Sequence, residues 1–197
     1  MKDHLNLRKR RSLRLKGYDY SQTGFYFVTL CCHQRQCLFG EIINSKIELN
    51  LLGNLVATEW LQSEAIRTEI QLDEFIVMPN HFHGIVIINR PDNNVGANGG
   101  SPLPENGGSP LPENVNSNPN ISMKPKSLSS LISGFKSATT QKINRIRETP
   151  YTPVWQRNYY EHIIRDNEAL EKIRIYIKNN PLSWRWDQLN HNHSPKL

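Results

Sequence analysis

Gly24 to Cys32 reads GFYFVTLCC, an aromatic and β-branched run that predicts a strand. A short extended stretch near Glu41 to Leu49 predicts a small hairpin. From Asn50 to about Arg67 the apolar positions change to helical spacing. Leu52, Leu55, Val56 and Trp60 share one face, while Glu59, Gln62 and Arg67 are polar. Two extended runs follow, IQLDEFIVM and HFHGIVII. The Pro79-Asn80 pair between them is a turn signal and predicts antiparallel pairing. Helical spacing resumes with Leu128, Leu131, Ile132, Phe135, Ile143 and Ile146. VWQRNYYEHII, from Val154 to Ile164, predicts one more strand. A last helix is expected to start at Asp166 or Asn167, either of which can cap it, and to stop at Asn179-Asn180-Pro181.

The order strand, helix, strand, strand, helix, strand, helix predicts an α+β fold. Its core would be a ferredoxin-like βαββαβ antiparallel sheet with helices on one face, plus a C-terminal helix. Between the halves the chain changes character. The octad Asn-Gly-Gly-Ser-Pro-Leu-Pro-Glu occurs twice in tandem, at 98–105 and 106–113. That density of proline and glycine continues neither a ladder nor a helix, so a disordered insertion is expected at 91–125. The expected organisation is a basic arm (1–16), one domain made of 17–90 and 126–187, and a polar tail (188–197).

Charge sharpens the picture. The 197 residues carry a net charge of +6, and the sequence pI is about 9.3, which favours a polyanionic partner, nucleic acid ahead of an anionic membrane surface. The bland alternative is a merely basic protein. Lys2, Arg8, Lys9, Arg10, Arg11, Arg14 and Lys16 crowd the arm against one acid, Asp3. Such a run can gain order by neutralising phosphates. No apolar stretch follows it as in a secretory signal. No segment approaches the roughly 18 apolar residues that span a bilayer. Cys31, Cys32 and Cys37 form no Cys-x-x-Cys pair and suggest reduced thiols, hence a cytoplasmic protein.

The candidate chemistry lies in the strand HFHGIVII. Residues two apart on a strand point the same way, so His81 and His83 share a face while Phe82 packs behind. Paired imidazoles suit a divalent metal; the competing reading is two histidines facing water on a half-exposed sheet. His191 and His193 share the spacing, but in a polar, Pro-containing terminus. A second element weighs on the choice. In the last helix Leu170, Ile173 and Ile177 form the apolar stripe, with Tyr176 at its edge and Asn180 one turn on. Two imidazoles and an amide oxygen make a three-ligand site with open positions for a phosphate oxygen, beside a phenol. Tyr159 and Tyr160 are rivals, adjacent on a strand so that one faces the core, but neither has a ligand partner at helical spacing. His162 is expected to be an ordinary strand histidine and Trp155 a core residue.

These residues carry a resemblance. MPNHFHGIV resembles the His-hydrophobic-His motif of the HUH endonuclease superfamily. WQRNYYEHIIRDNEALEKIRIYIKNNP resembles the strand and tyrosine-bearing helix of single-tyrosine HUH transposases. Among them, the REP-associated tyrosine transposases also have an opening that RRSLRLKGYDYSQTGFYFVTLC resembles. The likeness covers about Arg10 to Trp186, apart from 91–125. It implies cleavage and rejoining of single-stranded DNA at hairpin-forming sequences. Tyr176 would be the nucleophile, joined to the 5′ phosphate. His81, His83 and Asn180 would hold Mg²⁺ or Mn²⁺. Arg8, Lys9, Arg10, Arg11, Arg14, Lys136 and Arg157 would be DNA contacts, with a homodimer as one assembly and a nucleoid-associated location. The alternative from another class is a non-catalytic single-stranded nucleic-acid module of RNA-recognition topology, stacking bases on Phe25, Tyr26 and Phe27. A third is a hydrolytic metal nuclease with Tyr176 merely structural.

Overall fold

A computed structural model of the chain describes residues 15, 17–89 and 124–190. Arg8, Lys9, Arg10, Arg11, Arg14, the tandem octads, His191 and His193 lie outside the described residues.

The elements are β1 (Gly24–Cys31), β2 (Gly40–Ile43), β3 (Lys46–Leu49), α1 (Leu51–Ile66), β4 (Ile70–Met78), β5 (His81–Ile88), α2 (Leu128–Ile146), β6 (Tyr160–Ile164) and α3 (Asn167–Ser183). β2 and β3 form a separate hairpin, and the main sheet runs β4-β5-β1-β6. Every neighbouring pair in it is antiparallel. Apart from the hairpin, this is the expected ferredoxin-like order, with the histidine strand and β1 at the centre.

Local chemistry explains the boundaries. Asn50 caps α1 by accepting from the amides of Leu52 and Gly53, Ser127 and Ser130 cap α2 reciprocally, and Asp166 caps α3 through the Ala169 amide. Two expectations need correction. The strand read from Val154 to Ile164 is regular only from Tyr160. Before it, the chain makes one isolated bridge, Cys32 to Trp155, because the Trp155 indole turns away to donate to Thr139 on α2 at 2.8 Å. Nor does Pro181 stop α3, which runs on to Ser183 and into a 3₁₀ turn, Trp184–Trp186. A proline this close to a helix end removes one backbone bond only. Ser183 Oγ also donates back to the carbonyls of Asn179 and Asn180, at 3.4 and 3.1 Å.

The sheet's two faces hold different cores. α1 and α2 cover one face, where Trp60 and Phe135 pack against Phe82 of β5 and Phe135 also meets Trp155, with the Trp60 and Phe82 ring centroids 4.6 Å apart. Gly84 makes that approach possible, because a Cβ there would meet Phe82 Cε1 at 2.8 Å and Trp60 Cζ2 at 2.9 Å. α3 covers the opposite face through Leu170 and Ile177, against Phe27, Ile85 and Ile164. An irregularity in β4 between Leu72 and Phe75 turns the acids Asp73 and Glu74 toward α3. Arg174 grips Asp73, with Nε–Oδ1 at 3.0 Å, and Lys178 reaches Glu74 at 2.7 Å. These pairs help set the rotation of α3 over the sheet.

Candidate active site

On β5, His81 lies opposite Cys31 of β1 and Met78 of β4, and His83 opposite Thr29 and Ile76. Their rings are 4.6 Å apart between centroids. They are 0% and 2% exposed, so they do not face open water. α3 and the ring of Trp184, 5.9 Å from His81, cover them.

The hydrogen bonds assign one tautomer. Asn80 Nδ2 donates to the carbonyls of Arg35 and Leu189, at 3.1 and 2.7 Å. Its Oδ1 is therefore the atom facing His81 Nδ1, at 2.8 Å. An amide oxygen only accepts, so Nδ1 carries the proton and Nε2 presents a lone pair toward the site. That Nε2 is buried with no hydrogen-bond partner among the described residues. His83 is held at both ends, by Thr29 Oγ1 on Nδ1 at 2.8 Å and by the Tyr176 hydroxyl on Nε2 at 3.2 Å.

α3 brings the expected pair over these rings. Tyr176 is 45% exposed, its ring edge-on to Phe27 and 5.2 Å from His83 between centroids. Asn180, one turn on, is 1% exposed, and neither of its amide atoms has a hydrogen-bond partner among the described residues. Its carboxamide is nevertheless near enough to favour protonation of His81 and deprotonation of Tyr176.

Burial dominates the electrostatics. It pulls the His81 pKa down to about 4, opposed by the Asp187 carboxylate and Asn180 and assisted by Arg35. It drives His83 well below the ordinary imidazole range, helped by His81. Both rings are neutral at pH 7, the form that ligates metals. Burial also raises the Tyr176 pKa, helped by Asp187 and opposed by Asn180, so the phenol keeps its proton.

The residues fit a divalent cation. An unpartnered imidazole nitrogen and an unpartnered amide oxygen, both buried, are costly unless something fills them. Together with His83 they form the set expected from the sequence. Among the described residues no group of three or more His, Cys, Asp or Glu side chains is arranged to hold a metal; the donor that Asn180 would add to the two imidazoles is an amide oxygen.

Other candidates fall elsewhere. Lys136 is committed to backbone, donating to the carbonyls of Gln156 and Arg157 at 2.5 and 3.0 Å, and burial lowers its pKa. Arg157 is exposed and lines, with Lys136, Arg145 and Tyr151, an open groove of about 1070 Å³ that none of the site residues touch. Tyr159 packs against the α1/α2 core, while Tyr160 is exposed beside Phe27 on the histidine face. Tyr26 and Phe27 are 0% and 8% exposed, so β1 offers no open aromatic platform for bases. Thr29, Asn80 and Asp187 carry no sequence signal for the site. Cross-strand register and a turn bring them in. Cys31, Cys32 and Cys37 are free thiols, and among the described residues no helix is long and apolar enough to cross a membrane.

Comparison with known proteins places the fold. The fold resembles a solved REP-associated tyrosine transposase bound to a REP hairpin, at a TM-score of 0.55 and 16% identity, covering 89% of this chain and 76% of that one. No protein-family model matches. An uncharacterized protein of Haemophilus influenzae is 40% identical over 188 residues, 95% of this chain and 97% of the relative. The chain therefore belongs to the same family as this Haemophilus influenzae protein, on the fold of a tyrosine transposase.

Proposed function

We propose that the chain is a metal-dependent single-stranded DNA endonuclease and strand-transferring transposase that acts at hairpin-forming, REP-like sequences through a 5′-phosphotyrosine. The observation that carries this reading is the meeting of Tyr176 and His83, from positions 93 residues apart, at 3.2 Å. They meet beside a buried imidazole nitrogen and a buried carboxamide that lack partners. A phenol over neutral, unpaired metal donors suits phosphoryl transfer better than nucleic-acid binding alone. The solved structure of the same fold, with its bound REP hairpin, supports the substrate class.

His81, His83 and Asn180 would hold the Mg²⁺ or Mn²⁺, which when bound withdraws charge from the scissile phosphate. Tyr176 Oη attacks phosphorus and gives up its proton. The bond from phosphorus to the 3′ oxygen breaks, and that oxygen leaves as a hydroxyl. The new phosphotyrosine keeps an ester of comparable energy, so a later 3′ hydroxyl can reverse the step without ATP. Asn180 assists by lowering the cost of the phenolate, while burial keeps the phenol protonated at rest. Tyr176 and His83 meet within one chain, so a single copy suffices for this geometry and a homodimer is not required by it. Arg157 and the arm residues Arg8, Lys9, Arg10, Arg11 and Arg14 would contribute phosphate contacts, which add affinity but not sequence choice. This activity belongs with a cytoplasmic, nucleoid-associated protein.

Incubation with labelled single-stranded hairpin DNA and Mn²⁺ tests the reading. A denaturing gel should show a protein-linked band that Tyr176→Phe, His81→Ala or EDTA removes. Nicked DNA with no adduct, persisting in Tyr176→Phe, would establish a water-using nuclease instead.

A further inference from the structure

The groove beside α2 takes no part in the chemistry above. It is open, holds about 1070 Å³, and is lined by α2 from Lys136 onward and by the chain that leads into β6. That volume lies at the upper limit of the roughly 300–1,000 Å³ of a small-molecule pocket, so it suits a segment of polymer. Its walls are held by hydrogen bonds. Asn144 Nδ2 donates to the Thr152 carbonyl, the Trp155 indole to Thr139, and the Gln156 amide to the Cys31 carbonyl, each at 2.8 Å. Lys136 ties down the carbonyls of Gln156 and Arg157.

Two cations and a ring are left over. Arg145 and Arg157 are exposed, and neither forms an ion pair among the described residues. Glu148 is the single acid among the described lining residues, so the groove is net positive. Tyr151 is 100% exposed, and its backbone holds φ +64°, a conformation uncommon for a bulky residue. A wholly exposed ring buries no apolar surface, so packing does not account for it. The groove also leads toward the phenol. Arg157 lines it, and three residues on, Tyr160 opens β6 beside Phe27, whose ring meets Tyr176 edge-on. Three residues span at most about 11 Å.

We propose that this groove binds the single-stranded DNA flanking the hairpin, with Tyr151 stacking on a base and Arg145 and Arg157 pairing with phosphates. The inference rests on the DNA-cleaving reading above and gives the unpaired strand a path to Tyr176. A free ring stacks only on a base whose face is open, which an unpaired strand offers and the interior of a duplex does not. Guanidinium groups suit the phosphates between such bases, because each can donate two parallel hydrogen bonds to one phosphate.

Fluorescence anisotropy of the full chain in EDTA can compare a labelled hairpin carrying single-stranded flanks with the same hairpin cut blunt. Tyr151→Ala should weaken binding of the flanked hairpin about tenfold and leave the blunt one unchanged. Tyr151→Phe, which keeps the ring, should bind both as the unaltered chain does. Arg145→Gln and Arg157→Gln should each flatten the dependence of log affinity on log salt by about 0.7. Lys46→Gln, which removes an equal charge from the separate β2–β3 hairpin, should not. Equal losses on flanked and blunt DNA would mean that the groove holds duplex. Tyr151→Ala and both arginine variants binding flanked DNA normally would mean that it holds something other than DNA. Either result overturns the assignment and leaves the phosphotyrosine reading standing, as does a Lys46→Gln slope that flattens equally. The expected losses in a chain that never forms a protein–DNA adduct would support the groove and remove the transposase. An unaltered chain that binds neither hairpin would overturn both.

Discussion

His83 Nε2 has one position to offer, and the Tyr176 hydroxyl holds it in this structure. A nitrogen engaged with a phenol cannot also coordinate a cation, so metal binding and that hydrogen bond exclude each other. Loading the site would release the phenol toward the phosphate. Tyr176→Phe should therefore bind Mn²⁺ more tightly than the unaltered chain, by the worth of one hydrogen bond, about 0.5–1.5 kcal/mol or roughly two- to tenfold. Calorimetric titration checks this, and weaker binding would contradict the competition. At this scale the sequence showed His81, His83, Tyr176 and Asn180, because each pair sits at a spacing that strand or helix geometry turns into proximity. Thr29, 54 positions from the ring it touches, was invisible. Only the register of β1 on β5 joins them, and nothing local encodes it. Asn80 read as a turn residue, although its amide also orients His81.

Elements were legible where periodicity was long and ends were capped. α1, α2, β4 and β5 fall where apolar spacing and caps predict. The errors came where tertiary contacts override local signals. Trp155 leaves the line of β6 to bond α2, and α3 continues through Pro181 because Ser183 serves the carbonyls at its end. β5 also depends on something the hydrophobic pattern hides, the missing side chain at Gly84. Gly84→Ala would push a methyl group into Phe82 and Trp60, and overpacking of this kind costs about 1–3 kcal/mol. Thermal or denaturant unfolding should register that loss. A neutral result would mean that α1 shifts more easily than its packing suggests.

The whole molecule's stability should depend on pH through the same pair of histidines. In the unfolded chain an imidazole titrates near about 6.5. In the fold His81 is held down to about 4 and His83 well below the ordinary range. Between those values the unfolded state binds more protons, so stability is complete above about pH 6.5 and is lost as pH falls, at up to about 1.4 kcal/mol per pH unit per ring. Melting curves of EDTA-treated protein from pH 7.5 to 4 should show this decline, and His81→Gln should flatten it. A profile unchanged by that substitution would mean the ring is more solvated than its burial implies.

The rings come from the first half of the chain and the phenol from the second, 93 positions later. If Tyr176 is the nucleophile, no fragment that ends before α3 can cut DNA. A polypeptide still emerging from the ribosome would be harmless to the genome beside it until its last helix has docked.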